Sequence, residues 1–434
     1  MSKITKFVAR GGSFWIGLYG LSAAFITYFS MYAFRKPFAV GTYEHISGWA
    51  YDIDFKVAIV IAQVFGYALS KMLGIKVNSE ANPKMRPYMI IGMISISLVF
   101  LAAFAIVPAP LKIVAIFGSG LPLGMIWGLV YSYLEGRRIS DVLGAGLAVS
   151  FIVSSGVVKS VGRSLVVEYG VPELWMPALT GAIFFPIMLI SVFFLSQTPP
   201  PTIEDIEARM ERTPMYHEQR VAFVKKTGFG LLMLILTYVI LTALRDFRDN
   251  FAVEIWGALG FKDEPAILSL TELPVALFVM VMFSLTTIIK KNTNAVLFYH
   301  LMIIGGALLA LVATLAFQAH LIGPISWMIL VGAGIYTGYV PYNSVLVDRL
   351  TAAVHSPGNA SFVMYLADSS GYAGSVGLLL FKNFGNLKLS WLSFFMNACI
   401  YSAILITLFA LLSVAYFKFR VFKINHENQR IETK

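Results

Sequence analysis

Apolar positions in this chain come in long blocks, each the size of a membrane-crossing helix, separated by short polar segments. Runs of about 20 residues, enough to cross a hydrocarbon layer of ~30 Å as helix, lie at 14–34, 55–73, 87–107, 111–133, 143–161, 176–196, 228–245, 267–289, 295–317, 325–346, 360–381 and 391–417. Six precede a polar stretch at 197–226 and six follow it. The pattern predicts an all-α integral membrane protein: twelve transmembrane helices in two six-helix bundles, 1–196 and 227–434, joined by a cytoplasmic linker at 197–226. Within the linker, Thr202 can cap a helix whose first turn holds Glu204 and Asp205 and whose later part holds Arg209 and Arg212, as the helix dipole prefers. A helix on the membrane surface is the plain reading, and a regulatory segment is the other.

The two halves echo each other. At a constant offset of 210 residues, Gly20, Thr27, Tyr28, Ala33 and Arg35 recur as Gly230, Thr237, Tyr238, Ala243 and Arg245, and Gly124, Gly128 and Val130 recur as Gly334, Gly338 and Val340. Ser150-Phe-Ile-Val returns one residue later as Ser361-Phe-Val-Met. An internal duplication of two pseudo-symmetric bundles follows. Gly120, Gly124 and Gly128, like Gly334 and Gly338, are spaced so that one helix face lets a neighbouring backbone approach closely.

Composition supports the membrane assignment, with 58% hydrophobic and 13% charged residues. Lys and Arg divide unevenly among the loops. With a cytoplasmic N-terminus, 22 of the 33 fall on cytoplasmic segments, so the chain is expected in a cell's inner membrane with both termini in the cytoplasm. The net charge of +10 then reports this bias and contact with anionic membrane lipids, and nucleic acid is not needed to explain it. The basic start, Met1 to Arg10, precedes an apolar run without a small-residue cleavage site, so a retained first helix is expected. A single cysteine, Cys399, rules out an internal disulfide and reads as apolar filler.

Charges inside apolar runs are functional candidates because each costs about 2.5–3.5 kcal/mol to insert. Arg35 and Lys36 end a run that stays apolar to Val40, which should carry Arg35 into the outer half of the membrane; Arg245 does the same in the second copy. Two such arginines can clamp an anion, since a guanidinium pairs two oxygens of a phosphate or carboxylate at once. Snorkelling or structural pairing is the alternative. Thr27, Tyr28, Tyr32 and Tyr238 can add neutral hydrogen bonds, and Lys36, Lys71, Lys159 and Asn343 complete the candidate substrate contacts. Asp368, near the middle of its run, reads either as a coupling proton site or as an ion-pair partner for an arginine. Glu272 reads as an entrance or gate residue, and Asp246, Arg248 and Asp249 as an outer gate network. Lys159 and Arg163, one turn apart, read as charge at a cavity mouth or as interfacial snorkels; His300 reads as structural.

On these residues the chain resembles the major facilitator superfamily, and within it the organophosphate:phosphate antiporters that exchange sugar phosphates and glycerol phosphate. Tyr32-Ala-Phe-Arg35-Lys36-Pro-Phe38-Ala39 is similar to that family's Tyr-x-x-Arg-Lys-x-Phe-Ala, Arg245 takes the place of its second phosphate-binding arginine, and Tyr67-Ala-Leu-Ser70-Lys71-Met-Leu-Gly74 is similar to its second-helix motif. The superfamily's usual acidic residue after the second helix is absent, and Asp-Phe-Arg-Asp after Arg245 departs from the pattern. The resemblance implies a bacterial antiporter of phosphorylated anions.

The expectation is a secondary active transporter that moves a small organic or phosphorylated anion by alternating access, through exchange or proton coupling. It would act as a monomer with no cofactor or metal. A transporter-like sensor of a phosphorylated metabolite, or an exporter of lipid or other amphiphilic anions, are the rivals. An enzyme is not expected, because the sequence lacks His-Glu-x-x-His, paired catalytic aspartates and a Gly-x-x-x-x-Gly-Lys loop.

Overall fold

A computed structural model describes residues 2–80, 82–134, 140–200, 205, 217–354, 361–385 and 389–423. The described residues are helical with connecting turns and contain no strand. Among the described residues, ten helices are long and apolar enough to cross a membrane, and the protein is a multi-pass membrane protein. Two further long helices fill the positions of the remaining expected runs. One is Pro324–Pro341, continued by a π-helical turn at Tyr342–Leu346 and by Val347–Ala353; the other, Ser361–Phe384, carries Asp368. The expected linker helix, with Thr202, Glu204, Arg209 and Arg212, lies outside the described residues.

The helices begin and end where their chemistry says they should. Pro87, Pro110, Pro177 and Pro324 occupy first-turn positions, where a missing N–H leaves no hydrogen bond unmade. Large apolar side chains such as Ile96, Val99 and Ile106, and Ile187, Ile190 and Phe193, stay exposed on the helices that carry them, which suits a lipid solvent. Several buried hydroxyls bond within their own helix, as where Thr27 Oγ1 donates to the Ala23 carbonyl at 2.8 Å.

Two compact units emerge. The first comprises Met1–Arg209, Asp249–Leu273 and Leu379–Leu392; the second comprises Met210–Arg248, Pro274–Leu378 and Ser393–Lys434. The first unit thus takes in two pieces from the later half of the chain.

In the first unit, α1 (Lys3–Ala9) leads into α2 (Gly12–Arg35), followed by α3 (Phe55–Glu80), α4 (Arg86–Ile106), α5 (Ala109–Tyr131), α6 (Ser140–Val167) and α7 (Met176–Ser196). The glycine stripe of α5 seats α3. A Cβ on Gly124 would stand 2.6 Å from the Tyr67 carbonyl, one on Gly120 2.9 Å from the Gln63 carbonyl, and one on Gly66 2.4 Å from the Phe117 carbonyl. Only glycine permits that approach, so the seam fixes which face of α3 is presented. In the second unit, a Cβ on Gly334 would stand 2.4 Å from the Gly306 carbonyl.

Candidate functional site

Helix α2 stops at Arg35 for a local reason. Pro37 cannot donate a backbone hydrogen bond and disfavours helix at the residue before it, so Lys36 caps α2 and Pro37–Val40 forms a buried 3₁₀ turn. The apolar continuation to Val40 is therefore a turn rather than more α-helix. Arg35 and Lys36 are left adjacent and buried, at 8% and 7% exposure.

Arg35 lies on tyrosine. Its Cζ stands 3.6 Å from the centre of the Tyr67 ring and 5.6 Å from that of Tyr32, and Tyr28 meets Tyr32 edge-on at 5.5 Å. A guanidinium stacked on a ring face gains cation–π attraction while its in-plane N–H groups keep their direction. Tyr67 is held by the α3–α5 glycine seam, which therefore places Arg35 as well. Lys71, one turn beyond Tyr67, has its Nζ 5.7 Å from the same ring. Gln63 and Ser70 share this stretch of α3; both are buried, and Gln63 Nε2 and Ser70 Oγ have no hydrogen-bond partner among the described residues.

The second arginine is handled differently. It lies near the end of α8 (His217–Asn250), and its Cζ stands 4.1 Å from the ring centre of Tyr339 on α13, the helix Pro324–Pro341. Its Nη2 and Nε donate to Asp246 Oδ1 at 2.5 and 3.1 Å. About two turns earlier on α8, the hydroxyl of Tyr238 donates to Asp368 Oδ1 at 2.7 Å and lies 3.3 Å from the Tyr339 hydroxyl. Tyr342, which opens the π-helical turn, stacks on Tyr238 at 4.3 Å between centroids. A π turn inside a helix is costly and tends to persist at functional positions. The side chain of Asn343 lies outside the described residues.

Asp249 organises a third cluster, within the first unit. It receives Lys36 Nζ on Oδ2 and Lys159 Nζ on Oδ1, the latter at 2.6 Å, while Ser155 Oγ donates to Oδ1 at 2.6 Å. Lys159 Nζ also reaches the Asp249 carbonyl at 3.1 Å. Both lysines are buried, with Lys159 only 2% exposed, so Lys159 is not an interfacial snorkel. Its helix α6 runs to Val167, past the expected end at 161, which takes Lys159 and Arg163 off the helix terminus. Arg163 Nη2 donates to the Lys262 carbonyl at 3.1 Å, and Ser160 Oγ to the Pro265 carbonyl at 2.8 Å. A Cβ on Gly156 would press on the Leu268 carbonyl at 2.7 Å and on Glu272, which is buried there. Beside this cluster, Lys56 pairs with Glu254 on the short helix α9 (Ala252–Ala258). Burial raises the Glu254 carboxyl above the usual range, against the pull of Lys56.

The structure thus divides the expected residues into three groups. Arg35 sits with Tyr28, Tyr32 and Lys71; Arg245 with Asp246, Tyr238 and Asp368; and Lys36 with Lys159 and Asp249. Of the expected outer network, Asp246 is on Arg245, Arg248 Nη2 donates to the Met328 carbonyl at 3.1 Å, and Asp249 holds the lysines. Tyr339, Tyr342, Gln63 and the Lys56–Glu254 pair were not among the expected residues. Tyrosines and a glutamine in apolar runs carry no charge signal, and Lys56 lies at a helix start where a lysine is unremarkable in sequence.

Residues 37–420 match the model of a family described as a family of unknown function, DUF5690. The chain belongs to the DUF5690 family. No curated protein matches this DUF5690 chain. Solved structures do match it: a point mutant of the peptide transporter POT in complex with sulfate (13% identity, TM-score 0.63, covering 92% of this chain and 94% of that one), a D-xylose-proton symporter (12%, 0.61, 92% and 96%) and the nucleoside transporter NupG (14%, 0.60, 92% and 98%). At these identities the likeness establishes the fold of this DUF5690 member, the all-helical major facilitator fold.

Proposed function

We propose that this protein is a secondary active transporter of a small organic anion, a phosphate ester before a carboxylate, with Arg35 and Arg245 as its anion contacts. The carrying observation is the repeated one: at equivalent positions of a duplicated chain, two arginines in apolar helices are each laid on a tyrosine ring. Support from the fold is general, since the similar structures are named for peptide, D-xylose and nucleoside transport, and cargo is decided by the site and not the fold. Here the site chemistry is cationic. Uptake of a dianion against ~100 mV would cost about 4.6 kcal/mol, at ~2.3 per charge, so transport needs exchange or a co-transported proton.

In this reading the six-helix halves, 1–196 and 227–434, alternate access to the anion, the termini lie in the cytoplasm, and the buried Lys36–Asp249–Lys159 cluster acts as a latch at the other face. Arg245 meets the cargo only by sharing or displacing Asp246, whereas Lys71, Gln63 and Ser70 lie around the tyrosine that carries Arg35. The test is thermal stabilisation of purified protein by inorganic phosphate, glucose 6-phosphate, glycerol 3-phosphate and succinate. Stabilisation by a phosphate ester in wild type, lost in Arg35→Ala and Arg245→Ala, is expected. Equal shifts in all three proteins would remove the arginines from the site.

A further inference from the structure

We infer that Asp368 is a proton-coupling group and that its protonation is read by Arg245 through two tyrosine hydroxyls, making the protein a proton–anion symporter. The inference rests on the anion-binding reading above and chooses between its two driving modes.

The chain of contacts lies wholly inside the second unit. Asp368, half-buried on α15 (Ser361–Phe384), accepts from Tyr238 Oη at 2.7 Å; Tyr238 Oη is 3.3 Å from Tyr339 Oη; the Tyr339 ring carries the Arg245 guanidinium at 4.1 Å. A tyrosine hydroxyl has one proton to donate. With Asp368 ionised, that proton points to the carboxylate. Once Asp368 is protonated, it becomes a donor itself and gives a hydrogen bond to Tyr238 Oη. The Tyr238 O–H is then released to turn toward Tyr339 Oη. No tyrosine proton is transferred; the hydroxyls only reorient. The one proton that moves is taken up by Asp368 from water on one side and released from it on the other.

The charge balance gives the direction. Groups around this relay include Tyr238, Arg245 and Asp246 from α8 and Tyr336, Tyr339 and Tyr342 from α13 and its π turn. Arg245 and Asp368 both act on the Tyr238 hydroxyl. Asp246 already occupies Arg245 Nε and Nη2, and Asp368, when ionised, adds a second carboxylate at the far end of the relay. Protonating Asp368 removes one negative charge from beside the relay, so an anion approaching Arg245 meets less repulsion. Anion and proton bind together because each favours the other. Tyr28, the equivalent of Tyr238 in the first half, has tyrosine neighbours instead, so the halves divide the work between cargo and proton.

Sulfate is a suitable probe because it remains a dianion from pH 5 to 8. Its affinity is measured by thermal stabilisation across that range, together with proton uptake on sulfate addition in weakly buffered detergent solution, read by a pH dye. Wild type should bind about tenfold more tightly at pH 5 than at pH 8 and take up protons on binding. Asp368→Asn should hold the tight affinity at every pH with no proton uptake. Asp368→Glu should keep the pH dependence, and Tyr339→Phe should weaken the coupling while leaving the tight-binding limit. An Asp368→Asn profile that matches wild type, in protein that melts as wild type does, overturns the inference while leaving anion binding intact. Sulfate binding that is absent at all pH values, or unchanged by Arg245→Ala, overturns the anion-binding reading and the inference with it.

Discussion

Replacing Asp249 by Asn should damage this protein far more than removing either lysine it binds. The cluster holds two ammonium groups on one carboxylate, with Lys36, Lys159 and Asp249 at 7%, 2% and 8% exposure. Asp249→Asn leaves two buried positive charges facing each other and an amide that accepts only weakly. Removing one partner of a buried pair costs about 3–5 kcal/mol; Ser155 and Asn250 remain as polar neighbours, which favours the lower end, about 3. At ~1.4 kcal/mol per tenfold, the contact that holds Asp249–Leu273 on α6 should open on the order of 10²-fold more often. Lys36→Met leaves Asp249 balanced by Lys159 and should cost within about 1 kcal/mol, because no charge is stranded. The assay is maleimide labelling of Val158→Cys, a fully buried position beside Lys159, in a Cys399→Ser background; labelling tracks local opening. Asp249→Asn should label on the order of 10²-fold faster than wild type and Lys36→Met within about fivefold. Equal rates for the two variants would refute the charge argument.

Other outcomes follow from the same geometry. Asp246→Asn frees the Nε and Nη2 edge of Arg245, and for a pair about a tenth exposed this should tighten anion binding by roughly 5- to 30-fold, about 1–2 kcal/mol; a weaker affinity in titration calorimetry would contradict it. Gly124→Leu drives side-chain atoms into the Tyr67 carbonyl and should abolish a folded, monodisperse protein, whereas Gly92→Leu, where a Cβ meets nothing within 4 Å, should be tolerated; size-exclusion profiles compare them. Burial raises the Glu254 carboxyl, so its contribution to stability is present below the unfolded value near 4.5 and is lost as pH rises through the higher folded value. Glu254→Gln should therefore lose less melting temperature than wild type between pH 4.5 and 7; parallel curves would show that this carboxyl is not the titrating group.

The helices were legible because apolar length is a strong signal. Arg35 and Arg245 were legible because a charge in an apolar run is rare and a fixed offset made the pair visible. What the sequence did not disclose is which partner each charge takes. Asp246 and Asp249 are three residues apart on α8, nearly one turn, yet Asp246 lies on its sequence neighbour Arg245 while Asp249 lies on two lysines brought by α6 and the end of α2. The tyrosines were harder still. Tyr339 looks like ordinary aromatic filler, and Tyr67 like no more than the head of a motif, until each ring is found beneath a guanidinium. Pro37 carried a local signal: it ends α2 at the arginine, and the run to Val40 hid it.

Anion transport through Arg35 is tested by counterflow in proteoliposomes loaded with inorganic phosphate, glycerol 3-phosphate, glucose 6-phosphate or succinate and challenged with the same compound in labelled form. Counterflow of at least one of these anions is expected, reduced more than tenfold in Arg35→Gln, with none for neutral xylose. Counterflow of xylose without any of the anions, or full activity in Arg35→Gln, would contradict it.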